Sequence, residues 1–189
     1  MNQSDTGMDL FFEPRSVAVI GASSTFGKVG YKLMDNITSG EYKGKLYPIN
    51  PRDKEIFGLK AYTSINEIEG PVDMVVIAIP ASFVLDEVEK CSKKGVKFLV
   101  IITSGFSEAG NIELEKKVVK AARDGGMRVL GPNIFGLYSS RVSLNATFGP
   151  KGVERKCFHY NPERSPGHSH DRDDRIRGHR AFLHHFRGE

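Results

Sequence analysis

Five short segments carry the residues whose types and spacing can do chemistry. The first, residues 21–30, reads Gly-Ala-Ser-Ser-Thr-Phe-Gly-Lys-Val-Gly. Gly21 and Gly27 admit close backbone approach to a ligand. Ser23, Ser24 and Thr25 add hydroxyl donors, and Lys28 adds a positive charge. Placed between a strand and a helix, such a loop offers backbone N–H groups and the positive end of the helix dipole to a phosphate. It is not a P-loop: five residues rather than four separate Gly21 from Gly27, and Val29 stands where Ser or Thr would hold magnesium. It also departs from the G-x-G-x-x-G spacing. The competing reading is a glycine turn that only packs strand on helix.

The second segment bears on the kind of nucleotide. An NAD site places an acid near the end of the second strand, for the ribose hydroxyls. Here that strand ends in Asn50-Pro51-Arg52, with Asp53 and Lys54 following. A basic residue there suits a ribose phosphate, as in NADP or the 3′-phosphate of coenzyme A; a solvated charged turn is the bland alternative. The remaining segments are Ala78-Ile79-Pro80-Ala81, Ile102-Thr103-Ser104-Gly105-Phe106-Ser107-Glu108-Ala109-Gly110 and Gly131-Pro132-Asn133. Pro80 is expected to leave neighbouring backbone polar groups available to a ligand. Taken singly, each of these three is also ordinary turn chemistry.

The elements that must position these loops follow from hydrophobic period. Residues 16–20, 45–49, 74–79, 98–102 and 128–130 read as strands, those at 74–79 and 98–102 apolar on both faces. Residues 28–39, 82–94 and 112–124 carry helical spacing, with Ser82 expected as a cap and Gly95, Gly125 and Gly126 as stops. Residues 59–62 read as a short extra strand, and Ser64 as the cap of a turn holding Ile65 and Ile68. Doubly buried strands alternating with amphipathic helices predict an α/β fold: a Rossmann-like, doubly wound parallel sheet with helices on both faces. In such sheets ligands bind beyond the carboxyl ends of the strands, where all five segments fall.

Composition narrows the function classes. The 189 residues carry 27 basic and 23 acidic side chains, but nine basic and six acidic ones lie after residue 150. The preceding part is nearly neutral, so nucleic acid is not expected as a partner. The two cysteines, Cys91 in a helix and Cys157 in the tail, give no disulfide framework. The first residues lack the basic-then-apolar pattern of a signal peptide, and no apolar run approaches the ~20 residues of a membrane span. A cytoplasmic protein without a membrane partner or bound metal is expected.

In order, VIGAS…GKVG, YPINP, AIPA, ITSGFSEAG and GPN resemble the CoA-binding domain of the NDP-forming acyl-CoA synthetases. That superfamily includes ADP-forming acetyl-CoA synthetase and the α subunit of succinyl-CoA synthetase. The resemblance implies coenzyme A as ligand. Residues 21–30 would hold its phosphates, Asn50, Pro51 and Arg52 would lie near the adenosine, and Ile79 and Pro80 would line the site. Ser104, Gly105, Glu108, Pro132 and Asn133 would lie toward the thiol and the reaction centre. The family reaction is acyl-CoA + ADP + phosphate ⇌ acid + ATP + CoA, through an acyl phosphate and a phosphohistidine on a later domain. ATP, ADP and magnesium would be handled by an ATP-grasp region, fused or on a β subunit.

The tail departs from this pattern. All six histidines fall between His159 and His185, and nine of the last 39 residues are apolar. A disordered basic tail or a metal-binding tract would account for the composition, although His168, His170, His184 and His185 share no i, i+4 face. A shifted reading frame accounts for it better. Back-translating residues 156–175 and dropping one base permits an apolar strand, a Ser-Gly-Ala-Leu-Gly turn and a helix, resembling the opening of the family's next domain. The sequence therefore predicts a flexible segment at 1–9, a CoA-binding domain at 10–152 and an out-of-frame tail at 153–189. No catalytic residue is assigned. The expected function is the CoA-binding portion of an ADP-forming acyl-CoA ligase, unable to turn over alone. The alternatives are a freestanding CoA-binding regulatory module and, more remotely, an NAD(P) oxidoreductase.

Overall fold

A computed structural model describes residues 9–150. A parallel sheet at the centre takes the order β2-β1-β5-β6-β7. Its strands are β1 (Ser16–Ile20), β2 (Lys45–Ile49), β5 (Met74–Ile77), β6 (Phe98–Ile101) and β7 (Arg128–Leu130). Val17 pairs with both Leu46 and Met74, and Val76 with Val100, so the register is continuous across the sheet. β1, β5 and β6 are buried at every residue. Such strands need cover on both faces, which explains why they are apolar throughout except at Ser16.

One face is covered by α3 (Val84–Lys94) and α4 (Ile112–Asp124), with Val88, Cys91, Val118 and Ala122 packed against Val75, Leu99 and Ile101. Burial pushes the Cys91 thiol up to about 12, so it is inert apolar filling. The other face is shared. Leu33, Met34 and Ile37 of α2 (Val29–Ser39) pack with Phe11 of the short helix α1 (Asp9–Phe12). Beside them lies an antiparallel hairpin of β8 (Gly136–Ser139) and β9 (Leu144–Thr147), contributing Leu137, Leu144 and Ala146. Asn36 of α2 donates from Nδ2 to the carbonyls of Thr147 (2.8 Å) and Gly149 (2.9 Å), tying the end of the hairpin to the helix.

The Rossmann-like doubly wound class is therefore present, with a hairpin completing the second face. The expected strand at 59–62 is shorter, as β4 (Leu59–Lys60), and pairs with β3 (Glu55–Ile56) in a small hairpin. Ser64 does cap the turn Ile65–Glu67, accepting the Asn66 N–H at 3.4 Å. Ser82 does not cap α3: it lies within a 3-10 turn, Ala81–Phe83, that leads into the helix without a side-chain cap. Lys28 precedes α2 rather than beginning it. Gly95 closes α3 with φ +79, a left-handed conformation open to glycine at little cost. No helix among the described residues is long and apolar enough to cross a membrane.

Candidate functional site

β2 and β5 lie on opposite sides of β1, so the direction in which successive strands are added to the parallel sheet reverses at β1. A crevice at the carboxyl ends of the strands is expected at such a switch point. The five segments singled out by sequence leave the sheet at this end and are stitched to one another. The Gly21 N–H donates to Ile49 O (3.1 Å), and Asn50 Nδ2 donates to Ala22 O (2.7 Å). The Asn50 Oδ1 also accepts the N–H groups of Arg52 (2.8 Å) and Asp53 (3.3 Å). Ser24 Oγ donates to the Asp53 carboxylate at 3.3 Å. The glycine loop and the loop after β2 are thus one unit, with Arg52 and Lys54 exposed on it.

Gly21 and Gly27 do different work. Gly21 (φ +90) faces the next strand end: a Cβ there would lie 2.4 Å from Ala78 O and 2.8 Å from the Ile79 side chain. Gly30 is tighter still, with Gly21 O at 1.8 Å from its would-be Cβ. These two glycines let α2 and β5 close on the end of β1. Gly27 (φ +86) meets nothing within 4 Å. A side chain at Gly21 would therefore meet the protein itself, whereas one at Gly27 would meet open space.

Around Gly27 the loop is suited to an anion. Ser23 is buried and its Oγ accepts the Thr25 N–H at 3.1 Å, fixing the turn. Among the described residues no acceptor is paired with the backbone N–H of Ser24, Phe26 or Gly27. Ser24, Thr25, Gly27 and Lys28 are exposed. Lys28 sits at the N-cap of α2 with no side-chain cap, and the first turn of that helix holds no acid. α3 and α4 both place acids there, Asp86 and Glu87, and Glu113 and Glu115. A lysine at a helix N-terminus opposes the dipole unless an anion joins it.

The β5 loop is less open than its proline suggested. Ile79 O accepts the Thr103 hydroxyl (2.7 Å), and Pro80 O accepts the Phe83 N–H (3.0 Å). These two carbonyls are satisfied within the protein, so they are not among the free backbone groups expected beside Pro80. Ile79 is half-buried and Pro80 exposed. After β6, Ser104 is exposed, and the Glu108 carboxylate accepts the N–H groups of Gly105 and Phe106. Those backbone bonds, that to Gly105 foremost, hold the Glu108 carboxyl below the usual range. Asn111 Nδ2 donates to Gly105 O at 2.9 Å. Glu108 and Asn111 together brace the loop, a role that three-residue spacing alone did not reveal. Pro132, buried, follows a cis peptide bond, and the exposed Asn133 (φ +56) donates its N–H to Thr103 O at 3.0 Å.

The ensemble is a row of loops at the switch point of a parallel sheet, with open N–H groups and basic side chains at one end. Loops arranged in this way are typical of nucleotide-type binding domains, in which a helix N-terminus such as the start of α2 is the usual place for a phosphate. The family described as "CoA binding domain" matches residues 15–139. The chain belongs to this CoA-binding domain family.

Its relatives are larger proteins. It is 50% identical over 143 residues to an ADP-forming acetate–CoA ligase of Methanocaldococcus jannaschii, covering 74% of this chain and 20% of that protein. It is 48% identical over 152 residues to the α subunit of ADP-forming acetate–CoA ligase I of Pyrococcus furiosus, covering 77% of this chain and 33% of that subunit. A solved structure from Ca. Korarchaeum cryptofilum superposes with TM-score 0.75 at 50% identity, covering 77% of this chain and 32% of that one. It is described as a dinucleotide-forming acetyl-coenzyme A synthetase 1 in complex with phosphate and ADP. The chain spans between a fifth and a third of the length of these relatives.

Proposed function

We propose that this chain is the CoA-binding portion of an ADP-forming acid–CoA ligase, holding coenzyme A at the switch point while other regions carry the phosphoryl chemistry. The observation that carries the reading is the open face of the glycine loop at Gly27, beside Lys28 and joined to the Arg52 loop by Ser24 and Asn50. Ser23, Ser24, Thr25, Gly27 and Lys28 hold the diphosphate. Arg52, with Asn50 and Pro51 shaping its loop, takes the 3′-phosphate. Ile79 and Pro80 line the crevice, and Ser104, Gly105, Glu108, Pro132 and Asn133 stand toward the thiol end.

Coenzyme A supplies the thiol that becomes the acyl carrier. The residues of this chain bind it, orient it along the strand ends and hold its charged end away from the reacting atoms. The reaction acyl-CoA + ADP + phosphate ⇌ acid + ATP + CoA also requires a phosphohistidine and an ATP-grasp region, fused or on a β subunit, which would bind ATP, ADP and magnesium. Neither falls within residues 9–150. The proposed CoA-binding domain runs to about residue 152. The tail at 153–189, where the reading frame is expected to shift, lies outside the described residues, as do residues 1–8.

Isothermal titration with coenzyme A, dephospho-CoA, NAD and NADP tests the assignment. Coenzyme A is expected to bind best and NAD not at all. Equal binding of the two forms of coenzyme A, or preference for NADP, would overturn it.

A further inference from the structure

Three aromatic rings stand in a row beside the proposed phosphate site. Phe26 projects from the glycine loop with 84% of its surface exposed. Its ring meets Tyr31 of α2 edge-on at 5.4 Å, and Tyr31 meets Phe57 at 5.1 Å. Phe57 occupies the turn of the β3–β4 hairpin with φ +53, followed by Gly58 with φ +74. Two positive φ values make the type I′ turn, in which Asn-Gly is the favoured pair. Phenylalanine is a poor residue for that conformation. Turn chemistry therefore does not explain Phe57, and core packing does not explain Phe26. Both lie on the segments that carry the charged groups: Phe26 next to Gly27 and Lys28, and Phe57 three residues beyond Lys54.

We infer that Phe26, Tyr31 and Phe57 form an aromatic platform on which the purine base of coenzyme A stacks. The inference rests on the proposed CoA site and adds a determinant for one part of that ligand. The exposed Phe26 ring supplies a flat π-face, and its contact with Tyr31 limits the freedom it would lose on stacking. Bases stack on such faces without a fixed hydrogen-bond partner. The diphosphate at Gly27 and a ribose phosphate at Arg52 are both reached from segments that carry these rings. A purine joined to two phosphorylated positions matches that combination of ring and charge.

The test uses the full chain and three probes: coenzyme A, adenosine 3′,5′-bisphosphate, and 4′-phosphopantetheine, which lacks the base. Phe26→Ala is expected to weaken coenzyme A and the bisphosphate by roughly 5- to 150-fold, the span for loss of one base–aromatic stack. Binding of 4′-phosphopantetheine should not change. Phe26→Trp provides a second readout, because the chain contains no tryptophan. Coenzyme A and the bisphosphate should quench the new indole emission, while 4′-phosphopantetheine should not. Wild-type affinity in Phe26→Ala, or equal weakening of all three probes, overturns the platform while the coenzyme A reading stands. A wild-type chain that binds none of the three overturns that reading and the platform with it.

Discussion

Gly30 rests directly on Gly21: a Cβ at position 30 would lie 1.8 Å from the Gly21 carbonyl oxygen. The first turn of α2 thereby sits on the end of β1, which sets its N-terminus at the loop end of the sheet. Gly30→Ala should force α2 outward and destabilise the domain by about 1–3 kcal/mol, the range for overpacking. Gly21→Ala should behave similarly, since its Cβ would press on Ala78 O. Gly27→Ala meets no neighbour and bears only left-handed strain of about 1–2 kcal/mol. It should stay folded and lose coenzyme A affinity. Denaturant unfolding and calorimetry on the three variants check the division. Native stability in Gly30→Ala would show that the contact is not tight in solution.

Arg52 lies on a loop whose geometry is set by Asn50, which accepts the Arg52 N–H and donates to Ala22 O. The Arg52 side chain is exposed, so its contribution to the fold is small. Arg52→Ala should therefore leave unfolding unchanged. It should reduce the preference for coenzyme A over dephospho-CoA by about 1.5–3 kcal/mol, the worth of a hydrogen bond to a charged group. Titration of both ligands against both proteins measures this difference directly. An undiminished preference would remove Arg52 from the 3′-phosphate.

The parallel sheet was legible because β1, β5 and β6 are buried on both faces and so carry apolar residues throughout, apart from Ser16 at the start of β1. Gly95 was legible as a helix stop because the left-handed position there selects glycine. The β8–β9 hairpin was not, because its segments, GLYS and LNAT, are four residues each and mix small, polar and apolar side chains. Their burial depends on α2, a partner that local pattern does not name. In the site, the order of the loops was legible from residue types at strand ends. The division between Gly21 and Gly27 was not, since both are glycines at positive φ and differ only in what stands opposite. Phe26 was not legible for a related reason: an aromatic between Thr25 and Gly27 gives no sign of its exposure until the loop is folded.

Glu108 gives the loop after β6 a pH dependence. Its carboxylate accepts backbone N–H groups from Gly105 and Phe106, which lowers its pKa from the ordinary 4.5. A group depressed in the folded state stabilises it above the unfolded pKa and loses that contribution as pH falls through the folded value. Residues 104–110 should therefore be ordered at neutral pH and loosen as acid is added below about 4.5. The amide protection of Gly105 and Phe106, followed by NMR across this range, reports the change. Glu108→Gln should show weaker protection at neutral pH and a flatter acid response. A variant with wild-type protection throughout would show that the carboxylate does not brace the loop.

The chain alone should form no acyl-CoA from ATP, magnesium, acetate and coenzyme A. Its match covers a fifth to a third of the ligases it resembles, and that part is the CoA-binding domain. The phosphohistidine of the proposed reaction needs a scaffold, a turn to receive it and an ATP-grasp region to charge it, none of which lies in residues 9–150. Coenzyme A binding should persist, because every loop assigned to it lies on the described sheet. The histidines at 159–185 should not substitute for the phosphohistidine, since their surroundings do not resemble the family motif. If the reading frame shifts near residues 154–156, restoring it should supply the missing strand, turn and helix. The decisive comparison measures acyl-CoA formation by the 189-residue chain and by the frame-restored protein, each with and without an ATP-grasp subunit. Activity is expected only where frame and partner are both present, or in the restored protein alone if its continuation includes the ATP-grasp region. Turnover by the purified 189-residue chain at the rate of the restored protein would place the reaction within this chain and overturn the assignment.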